Sequence, residues 1–221
     1  MAIALGEAGY EVYAVGRSEA ALQGLRAARP GITPIAVDVT DRDALEAVVA
    51  DLAIDVLVNN AGMMPPLGNF ADMAMADIDA TLEVNLSSAI VLTRLVVPRM
   101  RERRSGHVVF TGSAAGHAAF ADMAVYAATK AAIGGFAASL RADLSPYGVR
   151  VTEIVAGRVE TGLYRDVLDT ETRAAMYAGG AAVQPESVAE MVVALLGLPA
   201  SASVTRFDIA PTRPTGPSGK R

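Results

Sequence analysis

The sequence predicts an α/β fold: a doubly wound parallel sheet covered by helices on both faces, in a single domain. Three observations carry this. Short β-type apolar runs alternate with longer helical stretches nearly from end to end. The 221 residues are 52% hydrophobic and 19% charged, which supports one full-sized core and no second. No internal repeat or Pro/Gly/Ser-rich linker divides the chain before residue 210; residues 211–221 read as a tail outside the domain.

The elements follow in order. Residues 12–15 read as a strand, and Ser18 caps a helix running to about residue 29, closed by Pro30 and Gly31. Residues 34–39 form a second strand. Thr40 with Asp43 has the spacing of a capping box and opens a helix to about residue 52. Residues 55–58 are a short buried strand ending at Asn59-Asn60-Ala61-Gly62. A Met/Pro-rich loop leads to a long helix over 75–104, with a kink expected near Pro98. Residues 107–111 are a strand, 121–144 a helix and 149–155 a strand. An irregular Gly/Ala-rich insertion over 158–183 precedes a helix at 185–196 and a last strand at 203–209.

Composition excludes several classes of function. The net charge of -5 argues against a nucleic-acid partner, which calls for a basic face. Without cysteine there are no disulfides, thiol nucleophiles or thiolate metal sites. His107 and His117 are the only histidines, so no histidine-rich metal site is expected. No apolar run reaches about 18 residues, which predicts no membrane span. The first residues lack the cationic start of a secretory signal, so the expected location is cytoplasmic. Of 19 basic residues 17 are arginine, and only Lys130 and Lys220 are lysine.

Open α/β sheets bind ligands beyond the carboxyl ends of their strands. After the 107–111 strand comes Ser113, and further on Tyr126 and Lys130. The i, i+4 spacing puts Tyr126 and Lys130 on one helix face, where an ammonium favours phenolate and lowers the tyrosine pKa. A Ser113 hydroxyl can bind the same substrate oxygen. Such a set moves a proton on or off a carbonyl/alcohol pair. Arginine, which cannot be usefully deprotonated, does not stand at this lysine position.

These residues resemble the short-chain dehydrogenase/reductase family, which has a Rossmann-like fold. Asn59 to Gly62 matches its NNAG strand end, and Asn85 in Glu83-Val-Asn-Leu86 its helix asparagine. Ser113, Tyr126 and Lys130 match its Ser and Tyr-x-x-x-Lys. Asp38-Val39 matches its adenine-binding aspartate segment, and Gly157 to Thr161, with Val159 between, its nicotinamide-contacting segment. The resemblance implies catalysis by Asn85, Ser113, Tyr126 and Lys130. Tyr126 is then the acid/base, and Lys130 lowers its pKa and holds the nicotinamide ribose. Ser113 positions the carbonyl oxygen, and Asn85 holds a water in a proton relay. It implies a cofactor site of Arg17, Asp38, Val39, Asn60, Ala61, Gly62, Tyr126, Lys130, Gly157, Val159 and Thr161, with no metal. Gly16 occupies the place of an NAD-type acidic residue and Arg17 follows it, which favours the 2′-phosphate of NADP(H) over NAD(H).

The C-terminal stretches 184–190 and 207–212 resemble the hydroxy-acid and serine-type dehydrogenase branch. That implies a small alcohol or carbonyl substrate and a homodimer or homotetramer. His117, Phe120, Met63, Met64 and Leu67 are expected at the edge of the substrate pocket. Two features depart from the family. Ala156 replaces the proline of a Pro-Gly pair. No strand and Gly-rich phosphate loop precede the first helix; roughly 20 residues of the doubly wound plan are missing, and a misassigned start is expected. The absent strand would lie between those at 12–15 and 55–58. A second reading follows from this departure: a truncated, non-catalytic relative serving as a scaffold or binding protein.

Overall fold

A computed structural model describes residues 1–213 of the chain. The greater part of the expected tail, residues 214–221, lies outside the described residues.

Six strands alternate with eight α-helices: α1 (Ala2–Glu7), β1 (Val12–Gly16), α2 (Glu19–Ala28), β2 (Ile32–Ala36), α3 (Arg42–Ala50), β3 (Val56–Asn59), α4 (Met75–Leu82), α5 (Ser88–Glu102), β4 (Gly106–Thr111), α6 (Ala124–Leu144), β5 (Val149–Ala156), α7 (Thr170–Tyr177), α8 (Pro185–Leu196) and β6 (Arg206–Ile209). All strand pairs are parallel. Every strand therefore delivers its C-terminal end to one edge, and the candidate residues gather there.

The strands form two sheets rather than one. β1 pairs with β2, and β3, β4, β5 and β6 pair in that order. No backbone ladder joins β1 to β3 among the described residues. Their side chains are joined nonetheless, because Val12, Val56 and Val58 pack on one apolar cluster with Leu5, Val109 and Val192. This cluster fills the face under α1 and α8. The opposite face is closed by α5 and α6 over Leu57, Val108, Phe110, Val149 and Val151. The alternation of Val108 and Phe110 against Val109 across β4 is the period of a strand buried on both faces.

Several local expectations need correction. The helix after β2 is capped by Asp41, whose carboxylate accepts from Ala44 N at 3.0 Å. Thr40 is not free to cap, because its N–H and hydroxyl both donate to Asp38 Oδ1, at 2.9 and 2.8 Å. The long helix does not break at Pro98, which sits inside an unbroken α5. It is interrupted instead by one π-helical turn, Glu83–Ser87. Residues 75–102 are long and apolar enough to cross a membrane by length and composition alone. Their buried side carries Thr81, Asn85, Ser88 and Thr93. The 158–183 insertion contains α7, and its ends are tied by a bridge between Val159 and Val183. β6 starts at Arg206 rather than residue 203; the Thr152 hydroxyl takes the carbonyl of Val204 at 2.6 Å.

Candidate active site

Tyr126 and Lys130 lie one turn apart in α6, both buried, with the Lys130 Nζ 5.7 Å from the Tyr126 ring centre. The ammonium donates to the carbonyl of Thr111, the last residue of β4, at 2.8 Å. Ser113 follows two residues later and starts a short 3₁₀ turn; its Oγ accepts from Ala115 N at 3.2 Å. Gly116 closes this turn against α6. A Cβ there would lie 2.7 Å from the carbonyl carbon of Lys130 and 2.8 Å from Ala131 N, so only glycine permits the approach. The structure thus brings Ser113, Tyr126 and Lys130 together, as their spacing predicts.

Asn85 enters from the π-helical turn, a local widening that recurs at functional sites. Its Oδ1 accepts from Met63 N at 2.7 Å, and its Nδ2 donates to Met63 O at 2.9 Å and to Thr129 Oγ1 at 3.4 Å. Thr129 Oγ1 in turn donates to Tyr126 O at 2.7 Å. The amide clamps the loop after β3 to α6. Gly62 lies in the same cradle: a Cβ on it would stand 3.5 Å from Asn85 Oδ1 and 3.7 Å from Lys130 Nζ.

Burial dominates the electrostatics. Desolvation pushes Tyr126 up to about 12, against a hydrogen bond with Ser113 that pulls down and a Tyr164 field that adds to the rise. Desolvation also lowers Lys130 to about 8, opposed by the carboxylate of Glu153. The net shift of Tyr126 is upward, set first by burial. The cause is an apolar cover unseen in the sequence: Met64 and Ala115 beside the ring, with Met123, Leu163, Tyr164 and Val167 packed on them. Three of these come from the 158–183 insertion, which carries no periodic signal. Of the expected rim residues, Met64 is at the ring. His117 instead turns to Glu153, at 3.0 Å, and Leu67 and Phe120 are exposed.

The remaining candidates line the same edge. Arg17 and Asp38, after β1 and β2, form a long exposed ion pair of 3.8 Å. Thr40, through its backbone and then its hydroxyl, holds the Asp38 carboxyl below its ordinary value, and Arg17 assists weakly. Val39 follows, half-buried. Asn60 accepts from Thr111 Oγ1 at 3.1 Å, and Ala61 and Gly62 stand exposed beyond β3. Gly157 N donates to Ile209 O at 2.8 Å, and a Cβ there would meet Ala210 at 3.2 Å. Thr161 caps the next turn, its Oγ1 accepting from Leu163 N at 3.3 Å.

These residues fit a dinucleotide. A cation and a carboxylate stand beyond β1 and β2, and a buried ammonium lies beside Gly62 beyond β3. Among the described residues no three His, Asp or Glu side chains gather as a metal site.

Comparison with known proteins gives the chain's relatives. Residues 1–172 match the family model for short chain dehydrogenase. An uncharacterized short-chain type dehydrogenase/reductase, y4eK of Sinorhizobium fredii, is 42% identical over 213 residues, covering 96% of this chain and 86% of the relative. The NADP-dependent 3-hydroxy acid dehydrogenase YdfG of Escherichia coli K12 is 34% identical, covering 92% and 86%. Among solved structures, the closed form of serine dehydrogenase complexed with NADP+ superimposes with a TM-score of 0.91 at 31% identity, over 99% of this chain and 94% of the other. An actinorhodin polyketide ketoreductase variant with NADPH gives 0.83 at 31% identity, over 95% and 90%.

Proposed function

This chain belongs to the short chain dehydrogenase family, and from that premise we propose that it is an NADP(H)-dependent oxidoreductase acting on a small alcohol or carbonyl compound. The observation that carries the proposal is the buried trio of Ser113, Tyr126 and Lys130. NADP(H), when bound, supplies or accepts the hydride.

In the reductive direction Tyr126 is the acid. Its raised pKa keeps the phenol protonated through neutral pH, ready to give its proton to the substrate oxygen as the carbonyl carbon is reduced. Ser113 donates to that same oxygen and orients it. The Lys130 ammonium stabilises the charge left on the Tyr126 oxygen. Asn85 acts as a clamp that keeps the Gly62–Met63 segment beside Lys130. We assign Arg17 to a 2′-phosphate, Asp38 and Val39 to adenine, Asn60, Ala61 and Gly62 to the adjoining ribose, and Gly157, Val159 and Thr161 to nicotinamide. NADP-dependent relatives support the Arg17 assignment. Exposed Phe70, Met75 and Leu82, on and before α4, support assembly into a homodimer or homotetramer.

The test uses L-serine and 3-hydroxybutanoate with NADP+, chosen from what the relatives act on, together with NADPH fluorescence titration. Saturable NADPH binding and turnover that vanishes in Tyr126→Phe are expected. Folded protein without saturable NADPH binding would favour the scaffold reading, and a Tyr126→Phe variant at full turnover would remove the acid assignment.

A further inference from the structure

The α6-facing side of β5 is apolar at Val149 and Val151, both in the core cluster with Phe110. The next residue on that side is Glu153, opposite Phe110 in the register. Pattern alone calls for an apolar side chain there, and a buried carboxylate that breaks its own pattern asks for a reason. Glu153 is 4% exposed.

Its carboxylate sits in a cradle cut by two glycines. A Cβ on Gly112 would lie 2.5 Å from Glu153 Oε1, and one on Gly134 would lie 3.1 Å away. Gly112 directly precedes Ser113, and Gly134 is one turn beyond Lys130. The Lys130 ammonium holds the carbonyl of Thr111, the residue before Gly112. Glu153 and Lys130 therefore converge on the same two-residue segment from β5 and α6. The third contact is His117, whose Nε2 lies 3.0 Å from Glu153 Oε1 at the far end of the Ser113 turn. A cavity of about 310 Å³ opens beside this pair, with Arg141 and Arg206 on its wall.

We propose that Glu153 is a positioning residue for the reaction assigned above: seated in its glycine cradle beside the segment that Lys130 holds, its carboxylate braces the Lys130 ammonium and, through His117, fixes the Ser113 turn against α6. The proposal rests on that functional reading. Around Lys130 stand Tyr126 on α6, the Thr111 carbonyl on β4 and Gly62 beyond β3, and the field of Glu153 on β5 reaches it. Glu153 is the one anion among them and opposes the desolvation that lowers Lys130. Arg141, on α6, also feels the Glu153 field but spends its guanidinium on Val151 O and Thr205 O.

The chain's lysine content makes the test direct. With only Lys130 and Lys220 present, [¹³Cε]lysine labelling gives two lysine signals, assigned by Lys220→Arg. In the native chain the Lys130 signal is expected to titrate near 8. Glu153→Gln should move that midpoint down, each unit of fall being tenfold in the ratio of charged to neutral lysine. kcat at pH 7 should fall with it, and Glu153→Asp should restore part of both. Glu153→Met continues the apolar face of β5 and keeps the test open if the Gln variant does not fold. A Lys130 midpoint at its native value in folded Gln or Met protein overturns the proposal. Failure of the functional reading shows differently: the native chain turns nothing over, yet its lysine titration is still readable.

Discussion

Replacing Gly116 with alanine tests the junction on which the site is built. The new methyl would stand 2.7 Å from the Lys130 carbonyl carbon, where ordinary contact begins at 3.4 Å, and the obstructing atoms are helix backbone. The Ser113 turn must therefore retreat from α6 by about 0.7 Å, the difference between those two distances. Overpacking of this kind costs about 1–3 kcal/mol. In a domain of this size that lowers Tm by roughly 3–10 °C. The same retreat carries Ser113 away from Tyr126, and a misplacement approaching 1 Å costs up to about a hundredfold in rate. The unfolding temperature and initial rates should thus both fall. Gly24→Ala is the control. That glycine is exposed within α2 with nothing within 4 Å of a Cβ, so alanine should stabilise by about 0.5–1 kcal/mol and leave the rate alone. A Gly116→Ala protein with native Tm and native kcat would refute the reasoning.

Other perturbations follow from the same geometry. Asn85→Ala frees both backbone groups of Met63 and should cost about 1–3 kcal/mol in urea unfolding, with a loss of kcat larger than any rise in KM. Arg17→Ala should raise the KM for NADPH and leave that for NADH unchanged; equal effects on both would dismiss the 2′-phosphate assignment. Lys130, lowered by burial to about 8 from 10.5, binds fewer protons folded than unfolded between those values. Stability should therefore rise with pH across that window, and Lys130→Met should abolish the rise in chemical unfolding curves. His107, lowered by burial to about 4 from 6.5, stays neutral in the fold, so stability should drop as pH falls through that range. His107→Gln should blunt that drop, and an unchanged acid limb would contradict it.

Much of this was legible before any coordinates. Tyr126 and Lys130 announce themselves because a helix enforces i, i+4 adjacency whatever surrounds it, and parallel strands place Ser113, Gly62 and Asp38 at one edge by topology alone. What escaped depends on partners distant in the chain. The direction of the Tyr126 shift is set by Met64, Leu163 and Tyr164, and no local pattern links residue 64 to residue 164. The π-helical turn at Asn85 leaves no compositional trace. The cap moved from Thr40 to Asp41 because a side chain two residues upstream, Asp38, competes for the threonine hydroxyl. Glu153 did leave a signal, a lone carboxylate in an apolar strand, but its meaning required knowing that Gly112 and Gly134 make room for it.

The division between β1–β2 and the four-stranded sheet has a consequence for how the molecule opens. Among the described residues the smaller unit, with α1 and α2, is coupled to the four-stranded sheet through side chains such as Val12 and Leu5 and through no ladder hydrogen bonds. Side-chain contacts alone separate at lower free energy than a continuous ladder, so the chain should exchange its amide hydrogens as two cooperative units. Amides of residues 12–36 should exchange through an opening that leaves β3 to β6 closed. The binding edge would then have one half, at Arg17 and Asp38, that breathes independently of the half where protons are moved.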